Sequence, residues 1–300
     1  MHFRRARNTR LTRLPRVRVG LSIISLGLLL ASFQCTSVMS DRIPARKSIQ
    51  SVRNFAVQFS GEYQLSAFSR FDLVIIDPDQ SRRSEADSLS RKRVLPIAYL
   101  NIGEAEEYRW YYSEIKPNWV LGKNPNWERH FYVDVNNVEW QNLILQRILP
   151  RIYRSNFAGV FLDMIDIASP ELYPSTRQGV IDLILKIRAA YPDKLILLNN
   201  GTFLAENVKS EIDGICVESV FATYDFQTKK YSVRPRAEFE SRARELQGMQ
   251  KNLGARIFVI DYAAPGDTAA QSFVGTQARD FGFLSFVSDI DLDVIYQRHQ

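Results

Sequence analysis

Cysteine and histidine are scarce in this chain. Of 300 residues, two are cysteines (Cys35, Cys216) and three are histidines (His2, His130, His299). Two thiols make no disulfide framework, and Cys216 lies in an apolar run that suits a small core residue. With His2 and His299 at opposite ends of the chain, no cluster of imidazoles for a zinc hydrolase is expected. The G-x-S-x-G turn of serine hydrolases and the GxxxxGK phosphate loop are both missing. No acidic residue occurs before Asp41.

The basic residues that are present explain the formal charge of +6. Arg4, Arg5, Arg7, Arg10, Arg13, Arg16 and Arg18 precede an apolar run, Val19–Phe33. Without those seven arginines, 32 basic residues face 33 acidic ones, so the remainder is nearly neutral. A nucleic-acid surface needs its basic residues on the folded body, and no nucleic-acid partner is expected. A basic segment followed by an apolar one reads as an export signal over 1–40, with a retained membrane anchor as the alternative. The expected location is therefore outside the cytoplasm: secreted, periplasmic or held at a membrane by this segment. Residues 41–53 are polar, contain Pro44 and read as a linker to a single domain over 54–300. A monomer is expected.

From Asn54 onward, short apolar runs alternate with stretches of helical period. The runs are Phe55–Phe59, Leu73–Ile76, Val94–Leu100, Gly159–Leu162, Leu195–Leu198, Gly214–Val217, Arg256–Ile260 and Phe281–Val287. Continuously apolar strands are those covered on both faces of a parallel sheet. Helices are expected over Val138–Arg154, Gly179–Tyr191, Arg236–Leu253 and Thr268–Asp280. Eight strands alternating with helices predict a (β/α)8 TIM barrel, with a doubly wound open sheet as the alternative. Residues 103–137 and 219–235 read as long insertions of little regular pattern, and long insertions in compact domains are usually functional.

Barrel chemistry sits where strands end. The residues closing these runs are Asp77; Asn101 and Glu104; Asp163 and Asp166; Asn199, Asn200 and Gly201; Glu218; Asp261 and Tyr262; Ser288 and Asp289. No lysine stands among them, and Lys194 precedes its strand, which argues against a Schiff-base aldolase. Carboxylates alone can cleave a glycosidic bond, one protonating the leaving oxygen and the other attacking carbon or activating water. A strand-end Asp is often only a helix cap or turn residue, the plain reading of Asp77 before Pro78. Aromatics crowd the insertions: Tyr108, Trp110, Tyr111, Tyr112, Trp119, Trp127, Phe221 and Tyr224. Most suit loop packing, and one or two suit stacking on a sugar face.

The runs Tyr99-Leu-Asn-Ile-Gly-Glu-Ala-Glu106 with Tyr108-Arg109, Asn124-Pro-Asn-Trp127, Gly159-Val-Phe-Leu-Asp-Met-Ile-Asp166, Val217-Glu-Ser-Val-Phe221 and Asp261-Tyr-Ala263 resemble glycoside hydrolase family 114, the endo-α-1,4-polygalactosaminidases. The resemblance implies a (β/α)8 barrel without a metal or other cofactor, acting on a polymer of α-1,4-linked galactosamine. It places the family's catalytic aspartate on Asp163, as nucleophile, and its catalytic glutamate on Glu218, as general acid/base. Glu104, Asp166, Asn200, Asp261, Tyr262, Asp77 and Tyr99 are the expected substrate-binding residues. An endo-acting, retaining mechanism is expected, with the two carboxyls about 5–5.5 Å apart, whereas an inverting enzyme would hold them about 6.5–9.5 Å apart. A polysaccharide-binding protein without catalysis, and a Mg-dependent hydrolase using the acidic cluster, are the rival readings.

Overall fold

The computed structural model describes residues 45–296, apart from 62, 64 and 82. The leader expected over 1–40 lies outside the described residues. Eight strands form one parallel sheet: β1 (Phe55–Gln58), β2 (Leu73–Ile76), β3 (Leu95–Asn101), β7 (Gly159–Asp163), β8 (Leu195–Asn199), β9 (Gly214–Glu218), β12 (Arg256–Tyr262) and β13 (Leu284–Ser288), hydrogen-bonded in that order. β1 and β13 come together to close the ring. The Phe59 amide donates to the Leu292 carbonyl at 2.9 Å, and the rings of Phe55 and Phe286 lie 6.0 Å apart. The fold is thus the expected (β/α)8 barrel rather than an open sheet.

Helices separate the strands. α1 (Ala45–Ser48) precedes the barrel; α2 (Leu65–Phe68), α3 (Arg83–Arg91), α4 (Val138–Leu143), α5 (Leu149–Arg154), α6 (Arg177–Ala190), α7 (Arg236–Leu253) and α8 (Thr268–Asp280) follow the strands. Asn137 caps α4 by accepting the Glu139 and Trp140 amides, and Asp267 caps α8 through the Ala270 amide. The helix expected over 138–154 is interrupted by a π turn at Ile144–Ile148. Pro150 has no amide proton to give the preceding turn, and the widened turn absorbs that loss. None of the described helices is long and apolar enough to cross a membrane.

The segment read as a linker is partly structured. α1 is followed by a 3-10 turn, Ile49–Ser51, and Ile49 and Val52 are buried. Arg256 ties this segment down by donating to the Gln50 and Val52 carbonyls at 2.7 and 2.8 Å. Both insertions also carry strands that no apolar period announced. The first holds β4 (Glu104–Glu106), β5 (Val120–Lys123) and β6 (His130–Val133) in a three-stranded antiparallel sheet. The second holds the hairpin β10 (Ala222–Asp225) and β11 (Lys230–Val233). Their faces are set by tertiary contacts, so burial along β5 and β11 is mixed.

Inside the barrel the side chains stack in layers. Phe55 meets Phe258 edge-on at 5.1 Å toward the base. Above it, Phe59, Tyr99 and Phe161 form an aromatic floor with centroids 4.5–6.4 Å apart. The polar residues that close the strands stand on this floor.

Candidate active site

Three neighbouring staves end in the same way. Asp163 closes β7, Asn199 closes β8 and Glu218 closes β9. The next residue in each case, Met164, Asn200 or Ser219, has a left-handed backbone with φ of 58°, 53° or 54°. None is glycine; at Met164 and Ser219 the turn costs about 1–2 kcal/mol, while asparagine tolerates this conformation more readily. The turns swing the chain away at once and leave the last side chain of each strand facing the mouth. Gly201 lets the β8 turn close against its neighbour: a Cβ there would lie 2.2 Å from Ile165 Cγ2.

The Asn199 side chain joins the two acids. Its Nδ2 donates to Asp163 Oδ1 at 2.8 Å and to Glu218 Oε1 at 2.7 Å. These two oxygens therefore lie no more than about 5.5 Å apart, and the ~120° between the N–H bonds of a planar amide brings them to about 4.8 Å. The outer oxygens each accept from a phenol: Tyr99 donates to Asp163 Oδ2 at 2.8 Å, and Tyr262 to Glu218 Oε2 at 2.6 Å. Both carboxylates are only partly exposed. Burial pushes the Asp163 carboxyl up to about 6; the Asn199 hydrogen bond opposes the rise and the Glu218 charge adds to it. Burial likewise lifts the Tyr99 and Tyr262 phenols well above their usual range, so both stay protonated donors.

The other expected site residues divide between the mouth and the layer behind it. Asp166 sits in the turn after Met164, where burial raises its carboxyl, the Gly201 amide opposes and the Glu218 charge adds. Asn200 accepts the Glu218 amide on its side-chain oxygen at 3.1 Å and so sets the backbone of β9 rather than reaching between the acids. Asp261 is fully buried, with Oδ1 accepting the Phe221 and Ala222 amides at 2.9 Å each and Oδ2 without a partner. Burial pushes its carboxyl up to about 7 against those amides, and its place is to shape the turn after Glu218. Asp77 is buried and gives both oxygens to Arg109 Nη1 at 2.8 and 2.9 Å. Glu104 is buried too, accepting from Asn124 at 2.6 Å and Asn101 at 3.2 Å and lying 3.0 Å from His130 Nδ1.

Several residues that shape this site are not among those expected to be catalytic or substrate-binding. Asn199 was overshadowed by its neighbour Asn200, although strand alternation could have separated them, since Asp163 pairs with Asn101 on β3 and Asn199 follows the paired Leu198 on β8. Arg109 gathers Asp77, Asp79 and Glu106 behind Tyr99. Burial pulls the His130 imidazole down, but its hydrogen bond to Glu104 and the Glu106 charge lift it above its ordinary value overall. Of the insertion aromatics, Tyr111, Trp119 and Phe221 are core residues, whereas Tyr108 is 50% exposed and Trp127 38% exposed. Trp127 meets Phe226 of the other insertion edge-on at 5.7 Å. Among the described residues no group of three or more His, Cys, Asp or Glu side chains is arranged to hold a metal ion.

A carboxylate pair at this spacing on a barrel mouth suits glycosidic chemistry. The model of glycoside-hydrolase family GH114 matches residues 40–300. The chain belongs to family GH114. It is a glycosidase of that family on a TIM barrel. A protein of Deinococcus radiodurans without an assigned function is 29% identical over 272 residues, spanning 83% of this chain and 85% of its own. The GH114 barrel also resembles the glycoside hydrolase domain of PelA from Pseudomonas aeruginosa, with a TM-score of 0.73 at 20% identity over 81% of this chain and 97% of that one. Ega3 of Aspergillus fumigatus, solved in complex with galactosamine, superposes with a TM-score of 0.64 at 15% identity over 81% of this chain and 94% of its own.

Proposed function

We propose that this glycosidase hydrolyses an amino-sugar polysaccharide, acting within chains of α-1,4-linked galactosamine and retaining the anomeric configuration. The observation that carries the reading is the single Asn199 amide bridging both carboxylates, which holds their facing oxygens within about 5.5 Å. That gap leaves no room for a water between acid and sugar, and it suits direct attack. Asp163 is the nucleophile, attacking the anomeric carbon to give a glycosyl ester. Glu218 protonates the departing oxygen and then takes a proton from the incoming water. Tyr99 and Asn199 steady the Asp163 carboxylate, and Tyr262 orients Glu218. Asp166 and the other mouth acids favour a cationic polymer. The galactosamine in the Ega3 complex supports this substrate class by analogy. We further infer that the chain works outside the cytoplasm as a monomer, delivered or anchored by its arginine-rich leader.

The test is incubation of the protein with α-1,4-galactosamine polymer, its N-acetylated form and a β-linked glucosamine polymer, followed by mass analysis and by NMR of the anomers first released. Internal oligomers of α-configuration from the galactosamine polymer are expected. Products of inverted configuration, or an Asp163→Asn protein of undiminished activity, would refute the mechanism.

A further inference from the structure

A groove of about 360 Å³ runs between α3 and α5 and reaches the end of β3 at Tyr99, Leu100 and Asn101. Arg83, Arg151 and Arg154 line it, with Asp79, Ser81 and Trp110. The nearly neutral body thus concentrates four guanidiniums in one concave space, Arg109 with these three, against a single lining carboxylate. That carboxylate is already engaged, since Asp79 Oδ2 accepts from Arg109 at 3.2 Å while Arg151 stands 3.7 Å from Oδ1. Arg147, one turn ahead of Arg151, is neutralised by Glu114. Among the described residues Arg83 and Arg154 make no ion pair, and both are exposed. Arg151 lies over the Trp110 ring at 4.8 Å, and Arg147 over the same ring at 5.6 Å, so one wall of the groove is stiffened by cation–π stacking.

We propose that this groove is a binding site for an oxyanion carried on a sugar-sized body. Arg109 and Arg151 face carboxylates, whereas Arg83 and Arg154 line the same space without one, and an anion bound there would answer their charge. Planar guanidiniums present paired donors that match a phosphoryl or carboxylate group. The volume suits one ring with its anionic substituent and is at the small end for ligand pockets. The mouth is lined by acids and the groove by arginines, so the groove's ligand is of the opposite sign to a polyamine substrate. The site does not depend on the polymer assigned above.

Calorimetric titration of the full chain at low ionic strength decides it, with glucose 6-phosphate, glucuronate and glucose as probes. Saturable binding of one or both anions and none of glucose is expected, weakening as salt is added. The preference between the two anions tells phosphoryl from carboxylate recognition. Arg83→Gln with Arg154→Gln should weaken binding about tenfold or more while leaving the melting temperature and the polymer hydrolysis unchanged. Arg154→Gln alone should give an intermediate loss and serves if the double variant misfolds. Arg129→Gln, which removes an exposed arginine of the first insertion, should bind as the parent does. Absence of saturable anion binding, equal binding of glucose, or an equal loss in Arg129→Gln would overturn the proposal.

Discussion

Carboxylates stand at both ends of the barrel, buried at the base and partly exposed at the mouth, and the two ends surround them differently. At the base, Asp213 accepts from Arg46 at 2.8 Å, from Arg188 at 2.7 Å and from the Ile196 amide at 2.9 Å. Arg188 in turn donates to the carbonyls of Glu211, Pro192 and Lys194. Charge there is answered by charge, and the remaining donors are absorbed by backbone. At the mouth, Asp163 and Glu218 receive only neutral donors, the Asn199 amide and two phenols. Neutral donors orient a carboxylate without clamping its charge, so protons and covalent partners can still come and go. Guanidiniums are kept one layer back, where Arg109 holds Asp77 and Glu106 behind Tyr99.

This contrast can be tested by substitutions at each end. The largest effect belongs to the mouth: Asp163→Asn or Glu218→Gln should lower kcat about a thousandfold or more, measured as release of reducing ends, with the fold intact by circular dichroism. At the base, Asp213→Ala would leave the buried Arg188 unanswered and cost about 3–5 kcal/mol in denaturant unfolding, with kcat of the folded protein unchanged. Similar consequences at both ends would erase the distinction. Asn199→Leu removes the donor shared by the acids and should cost about a hundredfold in kcat. It should also shift the acid limb of the pH–rate profile to higher pH, because the lost hydrogen bond opposes the rise of Asp163.

Smaller effects follow from Asp163 itself. If it must be ionised to attack, kcat/KM should fall about tenfold per pH unit below a midpoint near 6. The same carboxyl holds its proton more tightly in the folded chain, at about 6 against an ordinary 3.8. Its contribution to stability is therefore complete below 3.8 and is lost as pH rises through about 6. Asp163→Asn should accordingly melt a few degrees above the parent at pH 8, with the gap closing near pH 4, in a calorimetric series. A gap that widened toward acid would reverse the argument.

Much of this was legible before any coordinates. β2 matches its apolar run, and α7 and α8 match their periodic stretches to the residue. β3, β7, β8 and β9 each extend one residue beyond their runs, because the last positions, Asn101, Asp163, Asn199 and Glu218, are polar. Those polar ends form the candidate site, so the apolar period stops where the proposed chemistry begins. The insertions were legible only as insertions. β4, β5 and β6 are held by register with one another and by contacts such as Trp140 Nε1 on the Ile102 carbonyl at 2.9 Å, and neither leaves a period in the sequence. The residues expected to bind substrate lie both at the mouth and in the buried layer behind it, and Asp77, Glu104 and Asp261 carry the same side-chain chemistry as the mouth acids and differ only in what surrounds them.

The sequence by itself determined the barrel, through eight apolar runs alternating with helical stretches, and it placed acids at the strand ends, because both signals are local and periodic. Only the tertiary structure decided which polar residues meet. Asn199 stands between Asp163 and Glu218 because β7, β8 and β9 are neighbours in register, a relation among segments some twenty to forty residues apart that no local pattern encodes. It also decided that Arg109 lies behind the acids and Arg83 in an open groove, since the worth of a charge depends on the dielectric and partners that folding brings to it.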